Sequence, residues 1–502
     1  MLKNVGSNWG ITLVSIAAVY VLTPFTLHRL GDAGYGTWNL IVSITGFLAL
    51  LTLGVPMASV RYFAQHVADG DVRKLNEAIG SCTALYLILG GIALLAGVGL
   101  YAFFNVTYDV PAAVRGDAQI AFAVTVLTAA VGFVGMLPNG VLSAYDDFVP
   151  RNVVRLGGVV LRLVLTLGLL TLWPSLTVLA LIQFVCLAFD FSLCSWLMLR
   201  RYPGIRIRLA DFDWGMVRRI LSFSVYVLVL SAGIRLSFET DALVIGKFQD
   251  VSSIPYFTVA NSFLLYLMEF IIAIAAVVMP MATRLKTQGR SFELREIFLK
   301  WSKIAVSLTL MAGLFLIVLG PRFIAWWIDP AFEKPAGQVL QILMVSYLVF
   351  LPVRGVALPI LMGLGKPGLP TIGFLVAGLL NLGLSILLAR PLGLAGVALG
   401  TAIPNVLFAG LVLWQACREL ETPVAEYLRY VVPRATLGAL PILALLLWFK
   451  LGLDVRSLGG LAGAGVAMVL LFGVTWVVFV YRNDPYVDLR GRLAGLRAGG
   501  QV

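Results

Sequence analysis

The run Leu30–Arg61, LGDAGYGTWNLIVSITGFLALLTLGVPMASVR, opens on a polar, glycine-rich turn (Gly31, Asp32, Gly34, Gly36). It then carries no charge between Asp32 and Arg61, and it closes on a cation. This reads as a short loop feeding one membrane-spanning helix, with a basic residue marking where the helix leaves the lipid. A looser copy lies at Ile245–Arg284, IGKFQDVSSIPYFTVANSFLLYLMEFIIAIAAVVMPMATR. Gly31 answers to Gly246, Tyr35 to Tyr256 and Arg61 to Arg284. Such a recurrence predicts two related halves, a plan common among secondary transporters.

The rest of the chain agrees with a lipid solvent. Of 502 residues, 60% are hydrophobic and 12% charged, with mean hydropathy +0.95. A soluble chain would carry roughly a quarter charged residues. A net charge of +12 raises the question of nucleic acid. The cations instead cluster between apolar runs, as loops beside an anionic leaflet do, so membrane lipids and not nucleic acid are the expected partners. Cys82, Cys186, Cys194 and Cys417 all sit inside apolar runs and read as small core residues without a disulfide or metal role. The apolar run Trp9–Leu27 is followed by no small-residue cleavage site, so it reads as a retained first span.

Fourteen apolar segments are long enough to cross, near 8–28, 37–60, 78–104, 118–143, 153–173, 175–199, 219–240, 256–282, 300–320, 338–363, 370–389, 394–417, 431–449 and 458–481. With the N-terminus inside and the segments alternating, 26 of the 37 Lys and Arg fall on the inner side and 8 on the outer. The remaining 3, Arg162, Arg235 and Arg354, lie within spans. That bias predicts a multi-pass protein of the bacterial cytoplasmic (inner) membrane with both termini cytoplasmic. Leu137-Pro138 and Leu351-Pro352, each followed by a glycine (Gly140, Gly355), extend the repeat. The expected fold is therefore an all-α integral membrane protein of about fourteen helices, two pseudo-symmetric six-helix lobes plus two C-terminal helices. The domains are 1–199, a basic cytoplasmic linker 200–218, a second lobe 219–418, and two additional helices with a cytoplasmic tail, 419–502.

An ionisable group at membrane depth costs several kcal/mol unless it meets a partner or water, so each is a functional candidate. Arg162 and Asp190 lie at similar depths on adjacent antiparallel helices and read either as a buried ion pair or as a pair facing a cavity. Arg235 and Glu239 are spaced i,i+4 on one face, Asp241 follows, and Glu269 lies at a depth that makes an Arg235–Glu269 contact plausible. These carboxylates are candidates for ion coupling or structural pairing. Arg354 has no obvious carboxylate at its depth and lies between Pro352 and Pro359, which loosen the helix. Arg61 and Arg284 flank a cytoplasmic mouth or simply anchor helix ends. Gly396-x-x-x-Gly400 and Gly459-x-x-x-Gly463 have the spacing of close helix contacts.

Absences narrow the function. No GxxxxGK[ST] is present, which argues against an ATP-driven pump. His28 and His66 have no metal-ligand company, so neither metal nor cofactor is expected. Asp211-Phe212-Asp213 has an Asp-x-Asp spacing but sits in a short basic linker, not beside a nucleotide-binding fold, so the chain is expected not to be an enzyme.

The stretch LGDAGYGTWNLIVSITGFLALLTLGVPMASVRYFAQHVADGD resembles the start of bacterial polysaccharide flippases of the multidrug/oligosaccharidyl-lipid/polysaccharide exporter superfamily. The shared features are the "LG…YG" turn, the "LGV…A…R" end of the second span and the Gly70–Asn76 stretch with Arg73-Lys74. Thr52 departs from the expected Asp before Leu-Gly, and fourteen spans are more like the lipid II and sporulation branches. The resemblance implies alternating access by two lobes around a cationic cavity. The cargo would be an undecaprenyl-diphosphate-linked oligosaccharide, a polysaccharide repeat unit, moved from the cytoplasmic to the outer leaflet. Polysaccharide polymerase and glycosyltransferases would be functional partners. Arg235, Arg354, Arg61 and Arg162 are the candidates for the diphosphate, because a guanidinium pairs phosphate oxygens bidentately. The alternatives are a drug or small-molecule exporter of the same superfamily, a lipid II flippase, or a membrane polysaccharide polymerase.

Overall fold

The computed structural model of the chain describes residues 2–487, apart from the side chains of 2–9, 12, 13, 222–227 and 230. The Lys3 side chain, Arg490, Arg492 and Arg497, and the C-terminus lie outside the described residues. Among the described residues there is no strand, and the chain divides by packing into two compact units, Met1–Pro255 and Tyr256–Val502. The boundaries expected from the sequence were read from its repeat, whereas this division follows packing.

The first unit contains α1 (Leu2–Gly46), α2 (Val55–Ala68), α3 (Val72–Thr107), α4 (Ala112–Ala144), α5 (Phe148–Leu172), α6 (Leu176–Arg201), α7 (Trp214–Phe238) and α8 (Asp241–Phe248). The glycine-rich turn of the opening stretch folds α1 back on itself. Gly31 has φ 68° and ψ 172°, a conformation open chiefly to glycine. Thr23 and Tyr35 would stand about 18 Å apart on a straight helix, yet their side chains meet. The second span is not continuous over 37–60. A 3-10 turn at Phe47–Thr52 is followed by Leu53 and Gly54, both with positive φ (52° and 75°), and only then by α2. Pro56, which lacks an N–H, is tolerated because it falls in the first turn of this new helix.

The tight Trp173-Pro174-Ser175 turn is closed by a carboxylate from another helix. Asp117 of α4 accepts from the backbone N–H of Leu176 (2.6 Å) and Thr177 (3.0 Å) and from the Ser175 and Thr177 hydroxyls. It thereby caps the start of α6. The basic linker is docked rather than loose. The Asn76 side chain donates to the Gly204 carbonyl (3.0 Å) and accepts from Arg206 N–H (2.9 Å), and Asp213 N–H donates to Ser81 (2.8 Å).

The second unit is built from α9 (Ile254–Thr287), α10 (Ser291–Val318), α11 (Gly320–Trp327), α12 (Glu333–Pro352), α13 (Leu358–Gly363), α14 (Gly368–Glu419), α15 (Val424–Leu447) and α16 (Leu458–Thr475). α14 is a hairpin turned at Gly393 (φ 59°). Asn381 donates to Thr401 across it (2.8 Å), and a Cβ at Gly396 or Gly400 would collide with Leu388 or Ser385. That pair of glycines therefore permits a close helix contact, as its spacing suggests. Gly459 and Gly463 do not: nothing approaches either within 4 Å.

The last two helices pack on α10 through Val318, Leu319, Ile442, Leu446, Leu461 and Met468. They are also pinned by an ion pair between Lys303 and Asp484, whose side chains are 1% and 0% exposed. Lys303, counted from the sequence among the inner-side cations, is buried and partnered. Among the described residues, eleven helices are long and apolar enough to cross a membrane. α14 carries two of the segments read from the sequence, α7 carries one, and α1 carries the first together with the start of the second, which continues past the Leu53–Gly54 break into α2.

Candidate functional site

Inside the first unit, the 3-10 turn Phe47–Thr52 and helices α2, α4, α5, α6 and α7 surround a cavity of about 720 Å³. Its position follows from the broken second span. Ala49, Leu50, Thr52, Pro56 and Val60, on either side of the Leu53–Gly54 break, form one wall. Two arginines reach it. Arg235 of α7 pairs with Glu239 one turn on (2.9 Å), and its guanidinium lies against the bare backbone of Gly46, where a Cβ would stand 2.8 Å from Nη1. Arg151 of α5 donates to the Ser143 hydroxyl and stacks over Phe148, 5.0 Å from the ring centroid. Asp190 of α6 faces the same space and accepts from the Asn139 side chain (2.9 Å).

The cavity therefore combines guanidinium groups with one carboxylate satisfied by a neutral amide. Asp190 is not paired with Arg162. α6 turns Asp190 toward Asn139 of α4, whereas α5 turns Arg162 toward α1, into a separate cavity of about 330 Å³ with Tyr35, Trp38, Asn39 and Gln183. The two residues share a depth but not a direction. Arg162 has no ion pair or hydrogen bond among the described residues.

The remaining candidates are dispersed. Arg61 is exposed on α2, and Asp241 is buried in the first turn of α8. In the second unit, Arg354 lies in a π turn, Val353–Ala357, that joins α12 to α13. Its guanidinium sits over Phe374 (5.4 Å) and Phe350 (5.8 Å), and its Nε is buried without a hydrogen-bond partner. Glu269 is exposed on α9, and its charge reaches Arg354 without forming an ion pair. Sequence reasoning only counted Arg151 among the inner-side cations, and it missed Asn139 and Ser143. Helical phase, not hydropathy, carried their signal.

A bundle of kinked membrane helices with polar cavities at membrane depth has close counterparts among solved transporters. The fold matches a lipid II flippase, MurJ, in an inward closed conformation, with TM-score 0.70 and 14% identity over 95% of this chain and 98% of that one. It also matches an inward-facing multidrug resistance MATE family transporter of the MOP superfamily, with TM-score 0.69 and 18% identity over 82% of this chain and 98% of that one. The protein is thus an all-α, multi-pass membrane protein with the fold of MOP-superfamily transporters. Residues 1–286 match the model of the polysaccharide biosynthesis protein family, and the chain belongs to that family. It is 22% identical over 422 residues to the uncharacterized membrane protein EpsK of Bacillus subtilis, covering 80% of each chain. It is 23% identical over 223 residues to the uncharacterized membrane protein MJ1068 of Methanocaldococcus jannaschii, covering 42% of this chain and 41% of that one.

Proposed function

We propose that the protein flips an undecaprenyl-diphosphate-linked oligosaccharide, a polysaccharide repeat unit, from the cytoplasmic to the outer leaflet of the bacterial cytoplasmic membrane by alternating access. Both termini are cytoplasmic in this reading, and glycosyltransferases supply the cargo that a polymerase consumes. The observation that carries it is the arginine-bearing cavity of the first unit, in a chain that belongs to a polysaccharide biosynthesis family. A diphosphate brings oxygens that a guanidinium fork binds in pairs, and the lipid chain stays in the bilayer.

Arg235 is the first contact, released from Glu239 as phosphate arrives, and Arg151 lies beside it. Asp190 and Glu239 are the counter-charges that hold these arginines when no cargo is bound. Arg162, Arg354 and Arg61 serve the same headgroup at other stages. Asp241 and Glu269 are reserved for ion coupling or structural pairing.

The test reconstitutes the full chain in phosphatidylethanolamine–phosphatidylglycerol vesicles with a fluorescent undecaprenyl-diphosphate sugar and follows quenching of the outer-leaflet pool. Wild type equilibrates the leaflets, and Arg235→Gln slows this at least about tenfold, the loss of one charge-assisted phosphate contact. Movement no faster than in protein-free vesicles refutes the proposal.

A further inference from the structure

α5 carries three arginines, Arg151, Arg155 and Arg162. At about 100° per residue, Arg155 falls about 40° and Arg162 about 20° from Arg151 around the helix. They form one stripe. The exposed apolar residues of the same helix, Val149, Val153, Leu156, Val160 and Val164, fall about 140–220° away. That opposite face is the one suited to lipid. Yet Arg155 and Arg162 are exposed as well, and Arg162 lines the cavity of about 330 Å³. Its exposure is therefore to an internal space.

The chemistry of that space is one-sided. Its polar lining includes Thr23, Tyr35, Trp38, Asn39, Arg162 and Gln183, with no carboxylate among the lining residues. A guanidinium at membrane depth with no counter-charge is costly unless water or an anion fills the site. Amides and hydroxyls beside an indole face suit a sugar ring, and the guanidinium suits a phosphate. Two of the three α5 arginines line polar cavities, Arg151 the larger and Arg162 the smaller, about 16 Å apart along the axis.

We propose that the smaller cavity is a second, anion-selective station, which takes a sugar phosphate borne on a lipid after it leaves the Arg151–Arg235 cavity, with Arg155 between the two. The identity of the lipid-borne cargo rests on the proposed function. The anion selectivity does not.

The experiment places a reporter thiol in the cavity of the full-length protein with Gln183→Cys, an exposed lining residue. Labelling above that of the parent chain is followed with a sulfonate and a trimethylammonium methanethiosulfonate. Each rate is normalised to its rate with a free thiol. The anionic reagent reacts about tenfold faster, because a positive wall concentrates anions. Arg162→Gln removes the preference and Arg162→Lys keeps most of it. Because the readout is a ratio within each variant, a change in protein yield does not mimic the effect. No labelling by either reagent, or a ratio indifferent to Arg162, overturns the proposal. Protection by undecaprenyl diphosphate in the vesicle, but not by inorganic pyrophosphate, supports the lipid-borne source. The reverse, or protection by neither, overturns that assignment. A charge preference in a protein that moves no lipid-linked sugar sinks the functional reading and leaves the anion site standing.

Discussion

Lys303 and Asp484 offer a sharp test of how the last two helices are held. The ammonium donates to one carboxylate oxygen, Oδ2, and lies 4.7 Å and 5.0 Å from the ring centroids of Tyr430 and Tyr481. The other oxygen accepts from the Tyr430 hydroxyl (2.8 Å) and the Tyr486 N–H (3.0 Å). Lys303→Met leaves that carboxylate buried with only these two donors, and such a broken buried pair costs about 3–5 kcal/mol. Asp484→Leu leaves the ammonium with two aromatic faces worth about 1–2 kcal/mol each, so its loss is smaller, about 2–4 kcal/mol. The double variant leaves no buried charge, only a hydroxyl and an N–H to satisfy, about 1–3 kcal/mol each. It should therefore be less destabilised than the sum of the singles by about 2–3 kcal/mol. At about 2–4 °C per kcal/mol, Lys303→Met lowers the unfolding midpoint by about 6–20 °C. Tryptophan fluorescence of the purified full chain in detergent reads this. Singles that each shift the midpoint by less than about 2 °C, or a double variant equal to their sum, would refute the reasoning.

Two further outcomes follow from local chemistry. Asp117→Ala removes the cap of α6 with its two backbone and two hydroxyl donors and should cost about 2 kcal/mol in the same assay, whereas an unchanged midpoint would mean that water replaces it. Asp147 ties the α4–α5 turn to Arg201 (2.7 Å) and Tyr202 (2.6 Å). Partial burial pushes its carboxyl up, but the bonds from Tyr202 and Arg201 and the arginine charge outweigh this and hold it below its ordinary value. A lowered folded-state value stabilises above the unfolded value of about 3.9 and is lost as pH falls through the folded one. The stability gap between wild type and Asp147→Asn should thus be constant from pH 7 to about 5 and close below about 3.9, and a gap independent of pH would contradict it.

Hydropathy finds apolar segments, and those segments fall in helical regions. Gly31 and Gly393 turn where short polar gaps separate two of them. Direction around each helix is a second coordinate, and matching depths say nothing of it. That is why Arg162 and Asp190 share a level yet face different cavities. It is also why two glycine pairs of equal spacing differ, one against Leu388 and Ser385 and the other against nothing. The sign of a residue is equally silent on burial: the partner of Lys303 lies 181 residues away. The break at Leu53–Gly54 did leave a trace, since Gly54-Val55-Pro56 combines a residue that favours positive φ with one that favours a first helical turn.

Aligned on the repeat expected from the sequence, the two copies differ by a count of one, and that difference reaches Arg354. Pro138 and Pro352 are 214 residues apart, whereas Gly140 and Gly355 are 215 apart, so the second copy holds one more residue between its proline and its glycine. A helix that must keep both flanking turns packed can absorb an extra residue by widening one turn, which is what a π turn does. The first copy runs as uninterrupted α-helix through Asn139, which reaches Asp190. The second has its π turn at Val353–Ala357, with Arg354 inside it, stacked on Phe350 and Phe374. Where one half presents a neutral amide to a carboxylate, the other presents a cation to two aromatic faces. On the alignment expected from the sequence repeat, one additional residue accompanies the difference between Asn139 and Arg354.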